Sequence, residues 1–282
     1  MAESPSPLQP GESKQAQIVR LVRTAIEAGT LRDGEALPST RELAAQWDVS
    51  VYTVSGAMQT LSDQGFVVNV SRSKRVVRNP NPTKTKPMSR TAPVVIFVGG
   101  YAGSGKTEFG RILARRTGWP ILDKDTTTRP VVELALEVLG QPGHDRESAT
   151  YLERIRPREY EALTATAVEN VECGVSAIVT APFIREFTDP AWLSRTSAAF
   201  SSRGSRPVFV WIRCDTETMH MYVRGRGAAR DAGKLADWEN YTAGIDIEFK
   251  PAIEHVLVDN SRDAEPLQDQ ADKLVEQLEQ GS

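Results

Sequence analysis

The 282-residue chain is 40% hydrophobic and 25% charged, enough to bury one large core or two modest ones; no apolar run approaches eighteen residues and no basic-then-apolar leader is recognisable, so neither a membrane-crossing helix nor a secretion signal is expected. Two cysteines, Cys173 and Cys214, exclude a disulfide framework and fit reduced thiols in a cytoplasmic protein, and the scattered His144, His220 and His255 exclude a histidine-based metal centre. The net charge of −3 hides an asymmetry: residues 1–90 carry twelve Lys and Arg against eight Asp and Glu, a balance of +4, and the remainder carries −7, which suggests different partners for the two halves.

The opening "MAESPSPLQPGE" is rich in proline and serine and is expected to be a disordered tail over residues 1–12. Ile18, Leu21, Val22, Ala25 and Ile26 then give a first helix its apolar stripe, closing near Gly29. In "LPSTRELAAQW", Ser39 with Glu42 three residues on forms a capping box that opens a second helix. After the turn "DVS", Ser50 caps a third helix that buries Val54, Ala57, Met58 and Leu61 and stops at Gly65. "FVVNV" and "RVVR" are β-rich runs around the basic tip "SRSK". Helix, helix–turn–helix and two-stranded wing make residues 13–78 a winged helix-turn-helix domain.

This segment resembles the DNA-binding domain of GntR-type bacterial regulators, in which L-P-S-x-R-x-L-A precedes V-S-x-x-T-V-x-x-A. The resemblance implies duplex operator DNA as partner, with Arg41 close to it. Tyr52, Thr53 and Gln59 are polar groups for base edges, Ser50 lies at the same helix start, and Arg72, Lys74 and Arg75 are candidates for phosphates. Val51 and Ser55 stand where the family usually carries arginine, and the glycines common in its wing are absent. A protein-docking module is the alternative reading. "NPNPTKTKPMSRTAP" lacks apolar periodicity, and residues 79–92 read as a linker.

The second domain, residues 93–282, opens on the buried-strand run Val94–Val98 followed by "GGYAGSGKTEFG". Gly100, Gly105, Lys106 and Thr107 fit G-x-x-x-x-G-K-[ST], a loop whose backbone N–H groups wrap phosphates while the lysine reaches the outer ones. Gly100, Gly103, Ser104, Gly105, Lys106, Thr107 and Glu108 are therefore the candidate nucleotide-binding positions, with Thr107 as the Mg²⁺ ligand. The alternative is a glycine-rich turn that binds nothing. "EFGRILARRTG" continues as a helix ending at Gly118. Ile121 and Leu122 end a second strand that delivers Asp123 and Asp125 to its carboxyl edge, either as catalytic or metal-supporting carboxylates or as helix caps, a role Asp125 suits. A third strand, Ala177–Val179, runs into Thr180-Ala-Pro without a Walker B aspartate. "PVFVWIRC" is a fourth strand, and the segment after it reads as a helix carrying Arg224, Arg226 and Arg230, either a phosphate-closing group or a solvated basic face. "HVLVDN" is a fifth strand, and Leu267, Ala271, Leu274 and Leu278 mark a terminal helix. Five strands alternating with helices predict a three-layer α/β domain with a parallel sheet.

"GYAGSGKT", "LDKDTTTRP", "TAPF" and "RGRGAARDAGKLADW" together resemble the small AAA-type P-loop kinases that include zeta-toxin-like and nucleoside- or sugar-kinase-like proteins. The resemblance implies ATP or a related nucleotide with Mg²⁺, a phosphate-closing lid bearing Arg224, Arg226 and Arg230, and phosphoryl transfer to a hydroxylated acceptor. Arg154, Arg156 and Arg158 lie where such kinases place substrate-binding helices, or on a charged surface. Three functions stay open: a regulator whose kinase-like domain senses nucleotide and modulates DNA binding, a working kinase with an appended winged helix, and a toxin-like kinase whose front domain docks a protein. Palindromic operators make a homodimer the default.

Overall fold

The computed structural model describes residues 13–28, 31–71, 74–78, 80, 92–227 and 231–280. The expected tail 1–12 and almost all of the expected linker therefore lie outside the described residues, as do Arg72 and Arg230. The chain forms two compact units, Met1–Met88 and Ser89–Ser282.

In the first unit, α1 (Lys14–Glu27) starts where the Ser13 hydroxyl accepts the Ala16 N–H, and it buries Ile18, Val22 and Ile26. Helix α2 (Thr40–Gln46) carries the predicted capping box: Ser39 N–H donates to Glu42 Oε2 at 2.7 Å and Glu42 N–H to Ser39 Oγ at 3.3 Å. Asp48, in the left-handed region at φ 50°, turns the chain into α3 (Val51–Asp63), which Ser50 caps. Val54, Ala57, Met58 and Leu61 on α3 pack against the α1 stripe. Strands β1 (Val67–Asn69) and β2 (Arg75–Val77) pair antiparallel, and Ala36 bridges to Val76 as a third edge. Ser39→Ala removes one half of the capping box and should lower stability by about 1 kcal/mol. That shifts the melting midpoint of a unit this size by roughly 4–8 °C, readable by thermal denaturation.

The second unit is a five-stranded parallel sheet in the order β4-β5-β3-β6-β7. Its central strand β3 (Val94–Gly100) is buried along its whole length, as a parallel strand covered on both faces must be. Helix α4 (Lys106–Thr117) follows β3 and ends at Gly118, φ +74°. Beyond it come β4 (Ile121–Asp123), α5 (Lys124–Val138), a π-helical turn (Tyr151–Ile155), α6 (Arg156–Glu172) and β5 (Ala177–Thr180). The chain continues through α7 (Ile184–Thr188), α8 (Pro190–Ser201), β6 (Arg206–Arg213), α9 (Thr216–Arg226), α10 (Ala232–Ala236), α11 (Trp238–Ala243), β7 (Val256–Asp259) and α12 (Leu267–Gln280). All five strands stand where their apolar runs put them.

One sheet face is covered by an aromatic core in which Phe97 meets Phe183, Phe200 and Phe209 at centroid distances of 5.8, 5.5 and 5.5 Å. The other packs Phe109 and Leu113 of α4 with Ala271, Leu274 and Leu278 of α12, the predicted terminal helix. One expected element differs: the single helix read after β6 is three. It breaks at Gly227, φ +57°, because α9 finds its C-terminal stop there. No helix among the described residues is long and apolar enough to cross a membrane.

Candidate functional site

In the P-loop, Gly103 (φ +82°) and Gly105 (φ +94°) adopt left-handed backbone that side chains resist. A Cβ at Gly103 would lie 2.7 Å from the Met219 carbonyl of α9, so the loop is held tight by glycine alone. Ser104 Oγ is buried with no hydrogen-bond partner among the described residues. Lys106 Nζ donates to Tyr101 O at 2.7 Å, and Asn260 Nδ2 holds Ser104 O at 3.0 Å. Close backbone approach, an orphaned hydroxyl and a lysine at a helix N-terminus fit a phosphate group, and a P-loop kinase-like fold holds nucleotide and Mg²⁺ in general.

Asp123 ends β4 and collects two hydroxyls on one oxygen: Thr107 Oγ1 at 3.2 Å and Thr180 Oγ1 at 2.7 Å, both to Oδ2. Its Oδ1 accepts the Thr126 N–H at 2.9 Å and so caps α5. The cap is thus Asp123, not Asp125, because Asp123 has the extended backbone that precedes the helix while Asp125 already lies inside its first turn. Asp125 lies in the first turn of α5, 3.1 Å from Lys124 Nζ. Where a Walker B aspartate would close β5, Thr180 closes it and reaches the Asp123 carboxylate from the neighbouring strand.

A cleft of about 580 Å³ joins these groups; Lys106, Thr107, Asp123, Asp125, Arg146 and Lys234 are among its lining residues. Beneath it lies a buried polar network missed by sequence reasoning. Lys124 Nζ donates to Glu159 Oε1 at 2.9 Å, Thr128 Oγ1 to the same oxygen at 2.6 Å, and Tyr151 OH to Glu159 Oε2 at 2.7 Å. Burial alone would depress the Lys124 pKa, but the charges of Asp125 and Glu159 hold it above the ordinary lysine value. Burial likewise pushes the Tyr151 phenol well up, with the Glu159 charge adding to it.

Of the arginines on the π-turn and α6, Arg156 faces the cleft, where Glu186 grips it with two bonds of 2.7 and 2.8 Å. Arg158 is exposed and pairs with Glu161 at 2.7 Å. Arg224 is exposed near the end of α9, which Arg226 closes. Gly103, Gly105, Lys106, Thr107 and Glu108 also line a second hollow against Met221 and Tyr222 of α9.

In the first unit, Arg41 and Tyr52 are exposed, Tyr52 to 86%. Ser50 Oγ accepts the Thr53 N–H at 3.0 Å and lies 2.8 Å from Thr53 Oγ1, so both hydroxyls are engaged in the cap. Lys74 is exposed. Arg75 turns inward instead, donating to Asn69 Oδ1 at 3.1 Å and Thr40 Oγ1 at 2.6 Å, which ties the wing to the start of α2.

A family model described as "AAA domain" matches residues 95–246, and one described as "Bacterial regulatory proteins, gntR family" matches residues 14–77. A shikimate kinase of Moorella thermoacetica is 32% identical over 162 residues, 55% of this chain and 83% of that protein. The uncharacterized HTH-type transcriptional regulator YjiR of Escherichia coli is 32% identical over 87 residues, 29% of this chain and 18% of that one. The solved APS kinase CysC of Mycobacterium tuberculosis, in complex with AMPPNP and APS, is 17% identical, with coverage of 67% and 99% and a TM-score of 0.45. The chain belongs to the AAA domain family, in a P-loop kinase-like form, and carries an N-terminal region of the bacterial gntR regulatory family.

Proposed function

We propose that this protein is a transcription regulator whose kinase-like domain binds ATP with Mg²⁺ and thereby changes the affinity of its winged helix for duplex operator DNA. The observation that supports it is the joining of Lys106, Thr107, Asp123 and Asp125 in one cleft, on a chain that also carries a gntR-type reader. Lys106 and the loop N–H groups would hold the phosphates; the Thr107 hydroxyl and the Asp123 carboxylate would hold Mg²⁺, which would supply neutralisation of phosphate charge. Arg41, Tyr52 and Lys74 stand exposed for DNA, and a homodimer matches a two-fold operator. Lys106→Ala should weaken ATP–Mg²⁺ binding at least tenfold, about 1.4 kcal/mol. Calorimetry with a nucleotide panel tests this, and unchanged affinity in a folded variant removes the assignment.

A second reading, phosphoryl transfer, is favoured by Asp125. It lines the cleft with Lys106 and Thr107 and can take the proton of an acceptor hydroxyl as that oxygen bonds the γ-phosphorus and ADP leaves. Labelled ATP, followed for transfer to small polyols, separates a sensor from a working kinase.

A further inference from the structure

Helix α3 is the second helix of the helix–turn–helix, the one whose N-terminal residues meet base edges in the major groove. Its thirteen residues, VYTVSGAMQTLSD, include no Lys, Arg, Asn or His. It therefore carries none of the arginine or lysine donors that grip guanine O6 and N7. Val54, Ala57, Met58 and Leu61 are buried, while Val51, Ser55, Gln59 and Asp63 are exposed at four-residue spacing and so form one ridge, with Tyr52 beside its start. The polar groups near that start are already engaged. Ser50 Oγ accepts the Thr53 N–H at 3.0 Å and lies 2.8 Å from Thr53 Oγ1. Gln59 Nε2 donates to Asp63 Oδ1 at 2.8 Å, which turns its amide along the helix. The Ser55 hydroxyl suits either kind of base pair. At the tip the surface is thus apolar: Val51 is 48% and Tyr52 86% exposed. Neither packing nor helix propensity asks for a β-branched side chain at an exposed helix start. The group in the major groove that apolar carbon matches is the thymine methyl.

We infer that Val51 reads a thymine C5-methyl, so that each operator half-site presents an A·T pair rather than guanine to the tip of α3. The inference rests on the proposed binding of operator DNA. Arg41 and Lys74 are exposed outside α3 and suit phosphates, contacts that set position but carry no sequence information. Discrimination at the tip therefore falls to the apolar contact. Burying one methyl against Val51 adds about fourfold in affinity.

The test lets the full-length protein select a duplex from a random pool. The enriched site is then remade with uracil in place of thymine, one position at a time, which deletes the methyl and keeps the base pairing. One thymine in each half-site should, on replacement, weaken binding about fourfold. In Val51→Ala the same replacement should cost little, and Val51→Arg should select guanine at that position. If uracil at every thymine binds as tightly as thymine, or the penalty is undiminished in Val51→Ala, the inference is overturned and operator binding still stands. A pool from which no sequence is enriched overturns both and points to a protein-docking face.

Discussion

Exchanging Glu159 for glutamine lowers the stability of the kinase-like unit by about 3 kcal/mol, the low end for a broken buried pair, because the buried Lys124 keeps only the part-exposed Asp125 as its charged partner. The glutamine keeps the shape, so the loss reads the charge. Lys124→Met should cost a similar amount by stranding the carboxylate. The double variant Lys124→Met with Glu159→Leu should recover most of the loss, since a buried ion pair is replaceable by apolar packing of similar volume. Because the folded-state pKa of Lys124 is raised, the pair's contribution is complete below the ordinary value of 10.5 and disappears as pH climbs through the raised value. Denaturant unfolding of the four proteins at neutral and at strongly alkaline pH measures both effects. If each single variant unfolds with wild-type midpoint, the network is not a stabilising one.

Asp123→Asn has the largest expected effect on ligand binding. Asparagine caps a helix as well as aspartate, so the bond from Thr126 and the start of α5 survive. What goes is the negative charge that Thr107 and Thr180 share. The gain in nucleotide affinity on adding Mg²⁺ should fall about a hundredfold, about 2.8 kcal/mol, with metal-free nucleotide affinity unchanged. An undiminished Mg²⁺ effect places the metal elsewhere.

What could be read from the sequence follows from how local each signal is. The five strands are apolar runs between turn residues, and the winged helix announces itself through Ser39, Glu42 and Ser50, whose caps act within three residues. The P-loop is equally local. The ends of the helices after β6 are less so: Gly225 and Gly227 both punctuate the arginine-rich stretch, and only packing decides which one stops α9. The polar network under the cleft was not legible, because Lys124 and Glu159 are 35 residues apart and an isolated lysine ordinarily reads as surface. Thr180 carried a faint signal, a hydroxyl at the carboxyl end of a buried strand where an aspartate is missing. Arg75 shows the opposite case: a basic hairpin tip gives no sign in sequence of the bonds its side chain makes to Asn69 and to Thr40 of α2.

The central claim is a coupling between two sites, and linkage makes it reciprocal: nucleotide should change DNA affinity by roughly 1–3 kcal/mol, and DNA should change nucleotide affinity equally. Arg41→Ala should weaken DNA binding and leave nucleotide affinity alone, while Lys106→Ala should leave nucleotide-free DNA binding alone and abolish the nucleotide effect. The most direct measurement is a titration of the full-length protein with a duplex selected from a random pool, at fixed salt, with and without saturating ATP–Mg²⁺. The account predicts two curves displaced about five- to 150-fold in midpoint, collapsing to one in Lys106→Ala. Superimposed wild-type curves at saturating nucleotide would contradict it and leave an independent kinase as the better description.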